Sequence, residues 1–172
     1  MTVEDGAGGE ALGAFIDGEL AAERERRAQL SQRGGGIITT STGLATLLFA
    51  AAALVTGAEK YAPPAVALVA LAATFLAFAA AAFCGLMAAR QRASEVVHYR
   101  QLETWRAQDR YWANNRDNVN RLLAKAKILS LTGLRAGNDA NARWAQRGFV
   151  AQLVALSGLV VAVGAILADA LI

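Results

Sequence analysis

Charge is missing from three long stretches of this chain, and the side chains that usually carry catalysis are scarce throughout it. There is one histidine, one cysteine and no cluster of carboxylates with metal-ligand spacing. No phosphate-cradling loop, dinucleotide glycine pattern or nucleophile elbow occurs, and Gly34 to Gly36 lack the Lys-Ser/Thr that would have to follow. These shortages predict no catalytic, cofactor-binding or metal-ligating residues, hence no enzyme. Cys84 lies inside an apolar run, where it can form no internal disulfide and a small soft side chain packs readily. The two prolines are adjacent, at positions 63 and 64, and strand-like alternation of apolar and polar residues is absent. An all-α fold follows.

What is present is long apolar sequence. Ile37 to Gly57 and Pro64 to Ala89 contain no charge, and Gly148 to Ile172 contains only Asp169. At about 1.5 Å of rise per residue, each run can cross a hydrocarbon core of roughly 30 Å. The pattern predicts an integral membrane protein with three transmembrane helices. Its segments are an N-terminal cytoplasmic part over 1–36 with an amphipathic helix, a transmembrane hairpin over 37–89, long cytoplasmic helices over 90–147, and a third span over 148–172. The first run starts only after 36 residues that are acidic at their beginning, so no signal peptide is expected.

Lys and Arg fix the expected orientation. Residues 1–36 carry four, residues 90–147 carry twelve, and the bend between the first two runs carries one. The positive-inside rule then puts the N terminus in the cytoplasm and the C terminus outside, in a plasma (inner) membrane. Arg33, Tyr61, Arg90, Arg92, Arg143, Trp144 and Arg147 are the expected interface anchors, with the arginines drawn to anionic lipid of the inner leaflet. That attraction accounts for the basic balance without nucleic acid.

Within the segments, Leu12, Phe15, Ile16 and Leu20 suggest one helical face, and Leu122, Leu123, Ala126 and Leu129 another. Gly34 to Gly36 read as a joint or a helix end, and Gly137 with Asn138 as a helix break. The second span is expected to run on through Arg90 as one long rod. In the first span Thr39, Gly43, Thr46, Ala50 and Ala53 recur at steps of four and three, making a narrow ridge of small residues. Ala155, Gly158 and Ala162 repeat it in the third span. Such ridges let helices approach closely in lipid, within a chain or between copies in a homo-oligomer. The hydroxyls at Thr39, Thr40, Ser41 and Thr42 either bond back to their own helix or line a polar mouth. Asp169, three residues from the end, reads as solvated.

Trp105, Arg106, Arg110, Tyr111, Trp112 and Arg116 interleave aromatic rings with guanidinium groups. Such a run binds a nucleotide signal by phosphate pairing and stacking, or forms the seam to a neighbouring helix or soluble partner. The sequence alone leaves both open.

The charged N-terminal helix ending in Arg-Gly, the Ile-Ile-Thr-Thr-Ser start of the hairpin at Ile37 to Ser41, and the long cytoplasmic helices resemble small bacterial membrane effectors of anti-phage signalling. These are the SLATT-type two-transmembrane effectors and the membrane-spanning Pycsar effectors. Leu134 to Arg143, LRAGNDANAR, is similar to the Arg- and Asn-bearing helices that precede spans in such proteins. The resemblance implies oligomerisation in the inner membrane and loss of membrane integrity on triggering. This chain departs from it in having a third span and no recognisable cyclic-nucleotide domain. Two other functions fit the same pattern: an assembly subunit whose cytoplasmic helices dock a soluble partner, and a channel or transporter subunit. The lack of paired charge inside the spans argues against coupled transport.

Overall fold

The computed structural model describes residues 4–56, 64–90 and 116–170. Among them are three α-helices and no strand: α1 (Glu4–Thr56), α2 (Ala65–Ala89) and α3 (Arg116–Ala170). The all-α expectation holds. The described residues divide into a polar unit, from 4–29 and 116–140, and an apolar unit, from 30–56, 64–90 and 141–170.

Two expected interruptions do not occur. α1 continues through Gly34 to Gly36, and α3 through Gly137 and Asn138. Each mid-helix glycine costs about 1 kcal/mol against alanine, but ending a helix leaves four N–H and four C=O groups without partners. Asparagine disfavours helix interiors when its amide bonds to the local backbone. The Asn138 amide is instead used across helices, donating to the Glu23 carbonyl oxygen and carboxylate at 2.8 Å each.

The expected long rod does not form either. α2 ends at Ala89, and Arg90 is extended, with φ −60° and ψ 126°. The Arg90 N–H still donates to the Leu86 oxygen at 3.0 Å, but its carbonyl turns away and accepts the buried Asn141 amide at 3.3 Å. That side chain takes one of the carbonyls a helix end leaves open. At the other end Pro64 precedes the first turn, and its carbonyl accepts from the Ala67 N–H at 2.9 Å.

In the polar unit α1 and α3 run parallel, since the contacts Asp17 to Lys127, Glu19 to Arg135 and Arg26 to Asp139 advance together. Ile16, Leu20, Leu131 and Leu134 form the buried cluster, with Ala124 against it. The burial phase departs from the expected stripes: Leu12, Phe15, Leu122, Leu123 and Leu129 are exposed.

In the apolar unit α2 is antiparallel to both neighbours. Gly34 of α1 meets Gly85 and Ala89, while Phe49 meets Phe75, edge to face at 4.9 Å between centroids. On the other side Gly158 of α3 faces Thr74 and Gly148 faces Cys84. The antiparallel pairing expected from the short connection is therefore present. Buried residues recur at a 3.5-residue period: Ala67, Thr74, Phe78, Ala81, Gly85 and Ala88 on α2, and Asn141, Gly148, Ala155 and Ala162 on α3. This is the seam spacing of left-handed helix packing.

Side-chain volume is inverted in this unit. The interior is mostly glycine, alanine, serine and threonine, with Phe78, Leu48, Ile37 and Leu30 as its bulky apolar members. Leu47, Val66, Val69, Leu76, Leu86, Val154 and Val160 point outward. Two helices, α2 and the Val119–Asp169 stretch of α3, are long and apolar enough to cross a membrane. Only 22 % and 11 % of their apolar windows are buried, unlike the core helix of a water-soluble domain.

Candidate functional site

Polar side chains gather in the apolar unit where α1 and α3 change from charged to apolar sequence. Arg33 is the last charge on α1 before an uncharged stretch to Thr56, and Arg147 the last on α3 before Gly148 to Ala168. Between the two helices lies a half-open groove of about 530 Å³. Arg33, Thr40 and Gln146 supply its polar lining, Ile37 and Phe149 its apolar wall, and Gly36 an open stretch of backbone. Gln152, at the edge of the same groove, donates to the Ile37 carbonyl at 3.1 Å and to Ser41 Oγ at 3.0 Å. Its amide joins α1 to α3 inside an otherwise apolar stretch. The sequence signal was a lone glutamine in an uncharged run, and sequence reasoning missed it.

The hydroxyls of α1 sort themselves by face. Thr39 donates to the Gly35 oxygen, Thr42 to Ile38 and Thr46 to Thr42, at 2.8 to 3.1 Å, so these three bond back to their own helix. Ser41 is buried and accepts from Gln152. Thr40 has no hydrogen-bond partner among the described residues.

The two small-residue ridges part company. Ala155 and Ala162 are fully buried and Gly158 packs on Thr74, so the α3 ridge is a true packing surface against α2. Thr39, Gly43, Thr46, Ala50 and Ala53 are exposed, and a Cβ at Gly43 would meet nothing within 4 Å. Within the chain, α1 packs instead through Leu30, Gly34, Ile37, Ser41 and Leu48. That face is displaced by about two residues, or roughly 200° around a helix of 3.6 residues per turn. Direct backbone contact sets the choice: a Cβ on Gly34 would lie 2.7 Å from the Gly85 oxygen and 2.8 Å from the Ala89 nitrogen.

Of the expected interface anchors, Arg33, Arg90, Arg143 and Arg147 are exposed. Trp144 meets Phe83 edge to face at 6.2 Å, and the Arg147 guanidinium lies over the indole at 5.1 Å. This is a cation–π geometry worth about 0.5–1 kcal/mol when exposed. Tyr61, Arg92, Trp105, Arg106, Arg110, Tyr111 and Trp112 lie outside the described residues, as does the side chain of Arg116.

The polar unit holds a second constellation. Glu23, its side chain 12 % exposed, accepts from Asn138 at 2.8 Å and from Arg135 Nε at 3.3 Å. Arg135 also pairs with Glu19, Arg26 with Asp139 at 2.9 Å, and Lys127 with Asp17 at 2.7 Å. The LRAGNDANAR segment thus acts as a docking strip, its Leu134, Arg135, Asn138 and Asp139 all contacting α1. Among the described residues no group of His, Cys, Asp and Glu could hold a metal ion. No family model, curated protein or solved structure matches this chain.

Proposed function

We propose that the chain is a non-enzymatic, three-span protein of a bacterial inner membrane, N terminus inside, whose copies associate and permeabilise the membrane under control of its charged helices. The inverted distribution of side-chain volume in the apolar unit carries the membrane part of this reading. Large aliphatic and aromatic residues exposed on every helix of that unit would aggregate in water and are stable against lipid tails. The uncharged part of α1 packs in the same unit and serves as the first of the three spans. The exposed ridge at Thr39, Gly43, Thr46 and Ala50, small and smooth on the outside of the bundle, supports association between copies. Resemblance to SLATT-type and Pycsar-type effectors supports the permeabilising role and a place in antiviral defence. The trigger in this reading is a soluble partner or nucleotide on the cytoplasmic side, read by Trp105, Arg106, Arg110, Tyr111, Trp112 and Arg116.

The test is induced expression of the full chain in cells loaded with a membrane-potential dye, with and without phage infection. Depolarisation is expected on triggering, and its absence under every stimulus would remove the effector function.

A second reading draws on the polar unit, where Leu12, Phe15, Leu122, Leu123 and Leu129 are exposed on charged helices. Such a surface suits an assembly subunit that docks a soluble protein and uses its spans only as an anchor. Replacing the spans with unrelated apolar helices would leave that activity intact, whereas permeabilisation would be lost.

A further inference from the structure

The groove between α1 and α3 has the chemistry of a lipid site. We propose that it binds one anionic phospholipid, with the phosphodiester on Arg33 and an acyl chain along Ile37 and Phe149; this rests on the membrane reading above. Four features of the molecule support it.

The first is charge. Arg33 is the charged residue of the lining, and no acidic side chain accompanies it. Arg26 and Arg135 in the polar unit are paired with carboxylates, whereas Arg33 has no carboxylate partner among the described residues. A guanidinium presents a planar fork of donors that matches two oxygens of a phosphate.

The second is the supply of neutral hydrogen-bonding groups. Thr39, Thr42 and Thr46 spend their hydroxyls on their own helix, and Thr40, which lines the groove, does not. With the exposed Gln146 it can serve the glycerol and ester oxygens below a phosphate. Gln152 cannot, because its amide is already committed to Ile37 and Ser41.

The third is depth. Seven residues separate Arg33 from Thr40, a rise of about 10 Å along α1. The headgroup layer of one leaflet is roughly 5–7 Å thick. The groove therefore reaches from the phosphate level past the ester oxygens to the start of the acyl region, where Ile37 and Phe149 give it an apolar wall beside Thr40. A free phosphate ion would use the upper end and leave that wall facing water.

The fourth is the open floor. A Cβ at Gly36 would meet nothing within 4 Å, and Ala142 and Ala145 opposite are small. α1 and α3 face each other here through small residues, and the space between them is left unfilled.

The experiment uses the full chain in nanodiscs or mild detergent, with native mass spectrometry to count retained lipids. Wild type is expected to retain phosphatidylglycerol about tenfold over phosphatidylcholine. Arg33→Gln should reduce that preference to near unity, and Arg33→Lys should keep part of it. Gly36→Leu, whose side chain enters open space, should lower retention of both lipids while leaving the fold intact by circular dichroism. Arg24→Gln, an exposed arginine of the polar unit, should change nothing. Equal retention of the two lipids by wild type, or an undiminished preference in Arg33→Gln, overturns the proposal. So does displacement of the lipid by millimolar glycerol phosphate, which would make the site one for soluble phosphate. Carbonate extraction of wild-type membranes separates the two claims. A chain that stays in the pellet without lipid preference refutes the lipid site alone, and a chain that is extracted refutes the membrane reading.

Discussion

Two glycines two residues apart should respond to the same substitution with opposite sign. Gly34 and Gly36 lie in one run of α1, so replacing either by alanine brings the same gain in helix propensity, about 1 kcal/mol or less. The surroundings differ. A Cβ at Gly34 lands 2.7 Å from the Gly85 oxygen and 2.8 Å from the Ala89 nitrogen, both backbone atoms that cannot swing aside. Restoring ordinary contact requires α1 and α2 to separate by about 0.7 Å, and overpacking of this kind costs about 1–3 kcal/mol. A Cβ at Gly36 meets nothing. Two backbone contacts under 3.0 Å put Gly34→Ala in the upper part of that range, so it should be net destabilising by about 1–2 kcal/mol, and Gly36→Ala neutral or stabilising by up to about 1. Cys84, the single cysteine and half-buried against Gly148, is a built-in reporter. A thiol-reactive dye followed during heating in detergent should show Gly34→Ala lowered by about 2–8 °C, taking roughly 2–4 °C per kcal/mol for a chain of this size. Gly36→Ala should stay level or rise. If Gly34→Ala matches wild type, or the two variants fall together, the backbone contact between α1 and α2 is not what holds this end of the bundle.

Three further outcomes follow from particular contacts. Gly158→Ala would place a Cβ 2.5 Å from Thr74 Oγ1, a buried hydroxyl without a hydrogen-bond partner among the described residues. Thr74→Ala alone should cost less than about 1 kcal/mol, because it also removes an unsatisfied polar group, and it should rescue much of the Gly158→Ala loss in a double-mutant cycle. Additive losses would contradict that contact. Gln152→Leu removes both amide bonds to α1 and should cost about 0.6–1.7 kcal/mol, the range for interhelical hydrogen bonds in lipid; Ser41→Ala should cost less, and thermal unfolding in detergent reads both. Asn138→Ala strips a buried amide from the Glu23 carboxylate and carbonyl and should cost about 1–3 kcal/mol. Lys127→Ala, which breaks an exposed pair with Asp17, should cost under about 1, so equal losses in chemical denaturation would show that burial does not set the scale here.

Much of the architecture was legible because it depends on composition. An alanine-rich chain with no proline inside its long runs has no alternative to helix, and the six-residue link Ala58 to Pro63 forces its neighbours antiparallel. The α3 ridge was legible for a related reason: Ala155, Gly158 and Ala162 are flanked by Leu153, Val154, Val160 and Val161, so these small residues stand out as one strip. The polar strip LRAGNDANAR stood out as unusual, but its role did not. Glycine followed by asparagine reads locally as a helix break, and only Glu23, 115 residues away, turns Asn138 into a helix-keeping residue. Arg90 is similar: nothing near it in sequence stops α2, and the amide of Asn141 donates to its carbonyl.

The apolar half of α1 separates what local pattern fixes from what distant contacts fix. Sequence was enough to say that the run beginning at Ile37 is a helix carrying small residues at steps of four and three, because that pattern is a property of one helix. It could not say which of two small-residue faces turns inward. Thr39, Gly43, Thr46 and Ala50 make one such face, and Gly34 and Ser41 begin another on the opposite side. Both satisfy the same period, so local propensity does not separate them. The choice falls to contacts with residues far along the chain, Gly85 against Gly34 and Gln152 against Ser41, where a missing Cβ and one amide each have a partner on only one side of the helix.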